Sequence, residues 1–162
     1  MIQFNFTCRD GTGRGAAITG PLKDAGINIE YTHFWVEESF FFSKWRTGRG
    51  ILVVHDYDGE NAKWVLERLQ KHDKGLGIKD LQTFYQVRIS IPDKPGTLYE
   101  EIEKLAKYGI YVRSFRGPEG NVGQNAIFFF MFEGRFENYI KAKELLAEHI
   151  VGESPFVPGF IS

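Results

Sequence analysis

A pair of glycines at one fixed spacing occurs twice in the chain and constrains the fold more than any other feature. Gly26 follows Gly13 by thirteen positions, and Gly109 follows Gly96 by the same number. In each half an aspartate lies three residues before the first glycine, and an isoleucine follows the second. The first glycine lies in a predicted turn and the second ends a predicted helix, because glycine adopts conformations that other residues resist. The repeat predicts two copies of one structural unit.

The apolar pattern of the first copy predicts the order strand, helix, strand, strand, helix, strand. Apolar and polar side chains alternate from Ile2 to Cys8, which is typical of a strand with one buried face. The first helix contains Pro21, which is expected to kink or shorten it. The other predicted elements are a helix over 16–25, strands from Ile27, from about Gly50 to Tyr57 and from Leu76 to Tyr85, and a helix from Asn61 to His72.

The second copy repeats this order, beginning with the stretch from Ile89 to Val112. This stretch predicts strand, tight turn, helix and strand, and its turn from Pro92 to Gly96 is dense in turn-forming residues. We therefore expect an α+β fold of two ferredoxin-like βαββαβ units, each an antiparallel sheet with its helices on one face. The expected domains cover residues 1–85 and 86–162 and join near Tyr85.

A later strand, predicted from Ile127 to Phe132, is apolar on both alternations. A strand with only one buried face would alternate apolar and polar side chains, so both faces of this one are expected to be covered. One face would meet the helices of its own unit, and the other a second unit or a second chain. The same run motivates an alternative function, a module that docks on a biosynthetic enzyme without sensing a ligand.

Charge and cysteine content narrow the class of protein. The formal net charge of −1 argues against bulk electrostatic binding to nucleic acid or to an anionic membrane. Cys8 is the single cysteine, so no intrachain disulfide can form and a reducing compartment is expected. No apolar run approaches the length of a membrane span. These features predict a soluble protein of the cytoplasm.

Each predicted turn places backbone amides at a helix start, which suits it to holding an anionic group. A dinucleotide-binding turn is a second interpretation of the glycines at positions 11, 13 and 15, with Glu37 or Glu38 at about the expected distance. It is disfavoured because Arg9 and Asp10 precede the glycines and Pro21 falls in the helix. A structural turn that binds nothing is a third interpretation.

The sequence contains no recognisable catalytic or metal-binding constellation. Cys8 has no neighbouring base to activate it, so a small buried thiol is expected. The four histidines fall in different elements without cysteine partners, which argues against a metal site. RNA binding would need a basic-Gly-aromatic run before Phe128, and phosphate hydrolysis has only Arg9 or Arg14 to support it. We predict no enzymatic activity, no cofactor and no metal.

The second copy resembles an ACT domain, most closely the regulatory ACT domain of prephenate dehydratase. In that family a DKPGAL-type turn precedes a helix, and an FFxxxEG-type strand end follows. The similar residues are the run IPDKPGTLY from Ile91 to Tyr99, then Gly109-Ile110, and the strand end Phe129–Glu133 with Gly134. The first copy is similar more loosely, through Asp10, Gly13 and the run from Gly26 to Ile29.

By this resemblance the protein would bind an amino acid between paired domains and regulate amino-acid biosynthesis. Asn28 matches the family's Gly-Ile-Asn position, where a side-chain amide can take the ammonium group. The second copy has Tyr111 there, and its run from Arg113 to Pro118 departs from the acidic-Ser-Arg-Pro run of the dehydratase; phenylalanine is one candidate ligand. The implied ligand-binding residues are Asp10, Gly11, Thr12, Gly13, Asn28, Asp93, Lys94, Pro95, Gly96, Thr97 and Leu98.

The resemblance also implies a homodimer, because the ligand sites of ACT domains lie between domains. A biosynthetic enzyme is the implied protein partner. The identity of the amino acid stays open, as does whether the two copies pair within one chain or between chains.

Overall fold

The structure, a computed structural model, describes residues 1–37, 46–118, 121–122 and 124–152, and of residues 121–122 only the backbone. The chain divides into two compact units, Met1–Thr83 and Phe84–Ser162. Each is α+β with an antiparallel sheet, as the sequence predicts.

The first unit has the predicted order of elements. Its sheet has the strand order β2-β3-β1-β4, to which β4 contributes its first residues. The helices connect β1 to β2 and β3 to β4, which is the arrangement of a ferredoxin-like unit. The bounds are β1 Ile2–Arg9, α1 Arg14–Asp24, β2 Ile29–Glu37, β3 Thr47–Val54, a 3-10 turn Asp56–Asp58, α2 Gly59–His72 and β4 Lys79–Pro92.

One face of this sheet packs against the helices, as the alternation in β1 predicts. Phe4 lies opposite Leu52 of β3, and both are fully buried. Ile18 and Leu22 of α1 and Leu66 of α2 are fully buried as well. Burying each such side chain contributes about 1.5–3 kcal/mol, so this layer is the main stabilising contact of the unit.

The predicted bounds of two strands in the first unit are wrong, whereas the first helix ends close to its predicted end. Pro21 lies inside α1, which continues to Asp24, one residue short of its predicted end at Ala25. Strand β3 ends at Val54, three residues before its predicted end at Tyr57, because Asp56–Asp58 form a 3-10 turn. Strand β4 begins at Lys79, three residues after its predicted start at Leu76, and it continues past its predicted end at Tyr85 to Pro92.

The second unit has the strand order β4-β7-β5, with the short β6 beside β7. Its fourth strand is reduced, within residues 124–152, to one bridge between Ile89 and Ile150 and a hydrogen bond of 3.1 Å from the amide of Val151 to the carbonyl of Arg88. The predicted join at Tyr85 lies inside β4. The other bounds are α3 Thr97–Lys107, β5 Val112–Arg116, β6 Asn121–Val122, β7 Asn125–Glu133, α4 Phe136–Leu145 and a 3-10 turn Ala147–His149.

The apolar strand β7 is buried on both faces, which confirms the prediction for this run. Phe132 lies opposite Tyr85, whose ring stacks on Tyr139 of α4 at 4.9 Å, so this face meets the helices. Phe129 lies on the other face, with the guanidinium of Arg88 5.7 Å from its ring centre, and is also buried. A second chain is not needed to cover either face.

Among the described residues, no helix combines the length and the apolar character that crossing a membrane requires.

Candidate functional site

The two predicted turns have the same backbone conformation. Gly13 and Gly96 immediately precede α1 and α3, and both are left-handed, with φ of 79° and 95°. In each helix the first regular hydrogen bond runs to the carbonyl of this glycine, from Ala17 over 2.9 Å and from Glu100 over 3.0 Å. A non-glycine residue costs about 1–2 kcal/mol in this conformation, which explains the repeated glycine.

The residues just before these glycines close each turn in the same way. The amide of Arg14 donates to the carbonyl of Gly11, and the amide of Thr97 donates to the carbonyl of Lys94, each over 3.3 Å. In the second turn the Thr97 hydroxyl adds a bond of 3.2 Å to the same carbonyl. The sequence repeat is therefore a repeat of backbone geometry.

The far ends of the two helices also match. The second glycine of each pair has φ of 73° in the first copy and 70° in the second. The following amides reach back five residues, from Ile27 to the carbonyl of Leu22 over 3.0 Å and from Ile110 to that of Leu105 over 3.1 Å. All four side chains are buried, so each helix end is fixed by a hydrogen bond and an apolar contact.

Both turns expose their aspartate and first glycine to solvent. The backbone amide of Asp10 donates to the carbonyl of Arg46 over 3.2 Å, and that of Asp93 to the carbonyl of Gln124 over 2.9 Å. No side chain within the described ranges caps the start of α1 or α3. The first amide of each helix donates within its turn, and the amides that follow it can receive an anionic group such as a carboxylate.

Asn28 lies at the opposite end of the first unit from the first turn. Ile2 and Ile29 both lie opposite Val54, so β2 starts beside the start of β1, whereas the turn follows the end of β1. The eight residues of β1 span roughly 25 Å. The side-chain amide of Asn28 donates to the carboxylate of Glu30 over 2.5 Å. The structure does not bring Asn28 and the first turn together.

The remaining predicted residues cluster at the second turn. Asp93, Lys94, Pro95 and Gly96 are exposed, and Thr97 and Leu98 are half-buried. Tyr111, the counterpart of Asn28, is 64% exposed and lies just before β5. The start of β5 lies opposite Phe132 of β7, at the end of the sheet away from the turn. In both copies, therefore, the residue at the Asn28 position lies at the end of the sheet away from the turn.

The geometry does not favour the dinucleotide-binding interpretation of the first turn. Glu37, a candidate ribose ligand of a dinucleotide site, pairs with Arg49 over 2.8 Å, and Glu38 lies outside the described residues. The sheet is antiparallel, unlike the parallel sheet of such sites. Among the described residues no group of three His, Cys, Asp or Glu side chains could hold a metal ion.

Cys8 is a buried free thiol, as predicted. Burial raises the pKa of Cys8 above its ordinary value; Arg14 opposes this shift and Asp10 adds to it. Its environment therefore favours the neutral thiol, which is a poor nucleophile.

Two surface features escaped the sequence analysis. One is an apolar groove of about 590 Å³ between α1 and α2, with the exposed ring of Trp64 at its edge. The other is a polar cleft of about 250 Å³ on the first sheet, lined by Asn5, Thr7, Trp35, Arg49, Asp80 and Gln82. The only sequence signal for the cleft is the polar set of residues that alternates with the apolar ones in β1.

Comparison with known proteins finds similar solved structures. A Bacteroides thetaiotaomicron protein is 17% identical over 92% of this chain and 89% of that one, with a TM-score of 0.43. The aspartate kinase regulatory subunit from Thermus thermophilus is 12% identical over 91% and 90%, with a TM-score of 0.43. The acetolactate synthase small subunit from Thermotoga maritima is 13% identical over 93% and 89%, with a TM-score of 0.39. No protein-family model and no curated protein sequence matches the chain.

Proposed function

We propose that this protein binds a free amino acid and regulates amino-acid biosynthesis as a tandem ACT-type protein, without catalysis of its own. The observation that carries the proposal is the duplicated turn, in which Gly13 and Gly96 share one left-handed conformation at a helix start. The resemblance of the run from Ile91 to Tyr99 to the ACT turn supports the same function. In this proposal residues 1–85 and 86–162 are the two ACT domains.

The turns offer both charges that an amino acid needs. The amides at the start of α1 and α3 carry the positive end of the helix dipole and suit the α-carboxylate. The exposed carboxylates of Asp10 and Asp93 suit the ammonium group. Lys94, Pro95, Thr97 and Leu98 would then surround the ligand in the second turn, and Gly11 and Thr12 in the first.

Asn28 takes part only if it meets a turn that its own unit does not supply, because about 25 Å of strand β1 separates it from the first turn. A homodimer would let a neighbouring copy supply the missing partner. We propose this assembly, with phenylalanine as the first amino acid to try and a biosynthetic enzyme as the regulated partner.

Titration calorimetry of the full chain with the twenty proteinogenic amino acids tests the proposal. At least one is expected to bind, and Gly96→Val is expected to weaken it by about tenfold or more, because a β-branched residue is disfavoured at φ of 95° and would shift the helix start. Gly20→Ala, within α1 and with nothing within 4 Å of its new Cβ, is the control. Silence from all twenty at millimolar concentration would contradict the proposal.

The alternative, an interaction module without a ligand, loses the observation that motivated it. Phe128, Phe129, Phe130 and Phe132 are all buried within the single chain. They therefore offer no apolar surface on which a partner could dock.

A further inference from the structure

The polar cleft lies on the face of the first sheet that points away from the helices. A Cβ added to Gly15 of α1 would lie 3.7 Å from the ring of Phe34, so Phe34 faces this helix. Trp35, the next residue of β2, therefore faces the other way. Arg49 lies opposite both Trp35 and Thr7, so these three side chains share the open face.

Three adjacent strands place a cation, a hydroxyl and an anion in one row across this face. The strand order β3-β1-β4 brings Arg49, Thr7 and Asp80 side by side. Neighbouring strands lie about 4.8 Å apart, so the Cα atoms at the two ends of the row are roughly 10 Å apart. Strand β2, which carries the Glu37 partner of Arg49, lies on the side of β3 away from Asp80, so room remains for a small ligand between the two charges.

Asp80 is held in an uncommon backbone conformation. Its φ is 52°, and it is the one residue other than glycine with positive φ among the described residues. The hydroxyl of Thr7 donates to its Oδ2 over 2.9 Å, which fixes the carboxylate over the sheet face. One donor does not saturate a carboxylate, which can accept about four hydrogen bonds. Asp80 therefore presents an oriented acceptor to the cleft.

Arg49 is oriented by a contact on its other side. Its Nε donates to Glu37 over 2.8 Å, and about half of each side chain is exposed. A guanidinium has five N–H donors in a planar fork, so this contact leaves its two terminal nitrogens for a second acceptor. A carboxylate is the acceptor whose geometry matches the fork.

Trp35 supplies an apolar wall beside these charges. Its ring stacks on that of His33, with centres 5.1 Å apart and planes 25° apart, which limits its motion. The cleft volume of about 250 Å³ lies just below the range of about 300–1,000 Å³ typical of drug-sized ligands. A small metabolite with one apolar part fits these dimensions.

We propose that this cleft binds a free α-amino acid as its zwitterion, with the carboxylate on Arg49, the ammonium group on Asp80 and the side chain against Trp35. The amides of Asn5 and Gln82 line the rest of the cleft and can bond the ligand as donors or acceptors. A dianion would leave Asp80 facing a like charge, and a neutral ligand would bring no opposite charge to either Arg49 or Asp80. The inference rests on the proposed function only for the ligand class, since it does not require either turn to bind.

The test compares full-length variants by calorimetry, using any amino acid that binds, its amide and its N-acetyl derivative. Asp80→Asn and Arg49→Gln are each expected to lower the affinity for the amino acid by about tenfold or more, which is the effect of losing a charged hydrogen bond. The amide lacks the carboxylate, so Arg49→Gln should hardly change its affinity. The N-acetyl derivative lacks the ammonium group, so Asp80→Asn should hardly change its affinity.

The controls separate this cleft from the turns. Asn tolerates positive φ, so Asp80→Asn should retain the fold, which circular dichroism verifies. Arg68→Gln removes a similar cation from α2, near Trp64, and should not affect binding. Binding that survives Arg49→Gln and Asp80→Asn but is lost in Gly96→Val overturns this inference and leaves the proposed turns standing. Binding that is lost in Arg49→Gln and Asp80→Asn but survives in Gly96→Val supports the cleft and contradicts binding at the turns. If none of the amino acids binds, both proposals are overturned.

Discussion

Gly13 and Asn28 lie near opposite ends of strand β1 in the first unit, although neither residue belongs to that strand. Gly13 follows the end of β1, and Asn28 precedes Ile29, which lies opposite Val54 together with Ile2 at the start of β1. A ligand of amino-acid size cannot contact both within one unit, since β1 spans roughly 25 Å. The role of Asn28 therefore depends on a neighbouring unit.

Asn28→Ala is expected to weaken amino-acid binding by about tenfold, the effect of losing one hydrogen bond to a charged group, if Asn28 is a ligand residue. The free energy of unfolding should change by less than about 0.5 kcal/mol, because Asn28 is exposed and the bond that its side chain makes among the described residues goes to Glu30, two positions away, while its bond to Asp58 comes from the backbone. Calorimetry and urea unfolding check the two effects. Unchanged affinity would remove Asn28 from the site.

Gly96→Ala is expected to destabilise the second unit by about 1–2 kcal/mol, because alanine is strained at φ of 95°. Apart from its chain neighbours, no described residue has an atom within 4 Å of the added Cβ, so the cost comes from the backbone conformation. Urea unfolding monitored by circular dichroism measures it. Gly20→Ala is the matched control and should stabilise by up to about 1 kcal/mol, because Gly20 lies inside α1. Equal effects of the two changes would refute the assigned turn.

Gly50→Ala is expected to destabilise the first unit by about 1–3 kcal/mol through overpacking. The added Cβ would overlap the ring of Phe6 and lie 3.0 Å from that of Phe34, two rings that already pack edge to face at 6.1 Å. Thermal unfolding measures the loss. Gly15→Ala places its Cβ at an ordinary 3.7 Å from Phe34 and should be tolerated. If Gly50→Ala left the thermal stability unchanged, the rings of Phe6 and Phe34 would have to move apart freely.

Cys8 is expected to react slowly with a thiol reagent near neutral pH, because burial raises its pKa and Arg14 only partly offsets this. Below about pH 8.5 the Cys8 thiol is neutral in both the folded and the unfolded protein, so its contribution to the free energy of unfolding is fully present there. That contribution is lost as the pH rises toward the folded pKa, since only the unfolded thiol has ionised. Labelling rates between pH 7 and pH 10, in buffer and in urea, measure the shift.

Arg14→Gln provides the control for Cys8. Removing the guanidinium takes away the one interaction that lowers the Cys8 pKa, so labelling should become slower still. Labelling as fast in the native protein as in urea would show that the thiol is not protected.

Leu22→Ala and Leu105→Ala occupy equivalent positions in the repeat and are each expected to cost about 2–5 kcal/mol. Both side chains are fully buried, and the carbonyl of each residue receives the amide that closes its helix. Urea unfolding of the two variants should show losses of similar size. A loss below about 1 kcal/mol in one variant only would show that the repeat does not extend to packing.

The local parts of the fold were readable from the sequence. The alternation in β1, the helical stripe of α2 and the turn glycines each reflect a requirement of a few neighbouring residues. The misplaced end of β3 depended on a single hydrogen bond, from the amide of Asp58 to the carbonyl of His55, that no side-chain pattern reports. The repeat predicted a full fourth strand in the second unit, whereas residues 124–152 supply one bridged pair at that place, Ile89 and Ile150.

The sequence by itself determined the duplication, because the glycine pair recurs in it at the same spacing. It also determined the conformation of the two turns, because only glycine adopts φ of 79° or 95° at low cost. The tertiary structure alone decided which of these residues can act together. Strand order and register placed Asn28 far from its turn and brought Thr7 beside Asp80, 73 residues along the chain. Such pairings depend on contacts between distant segments, which local patterns do not encode.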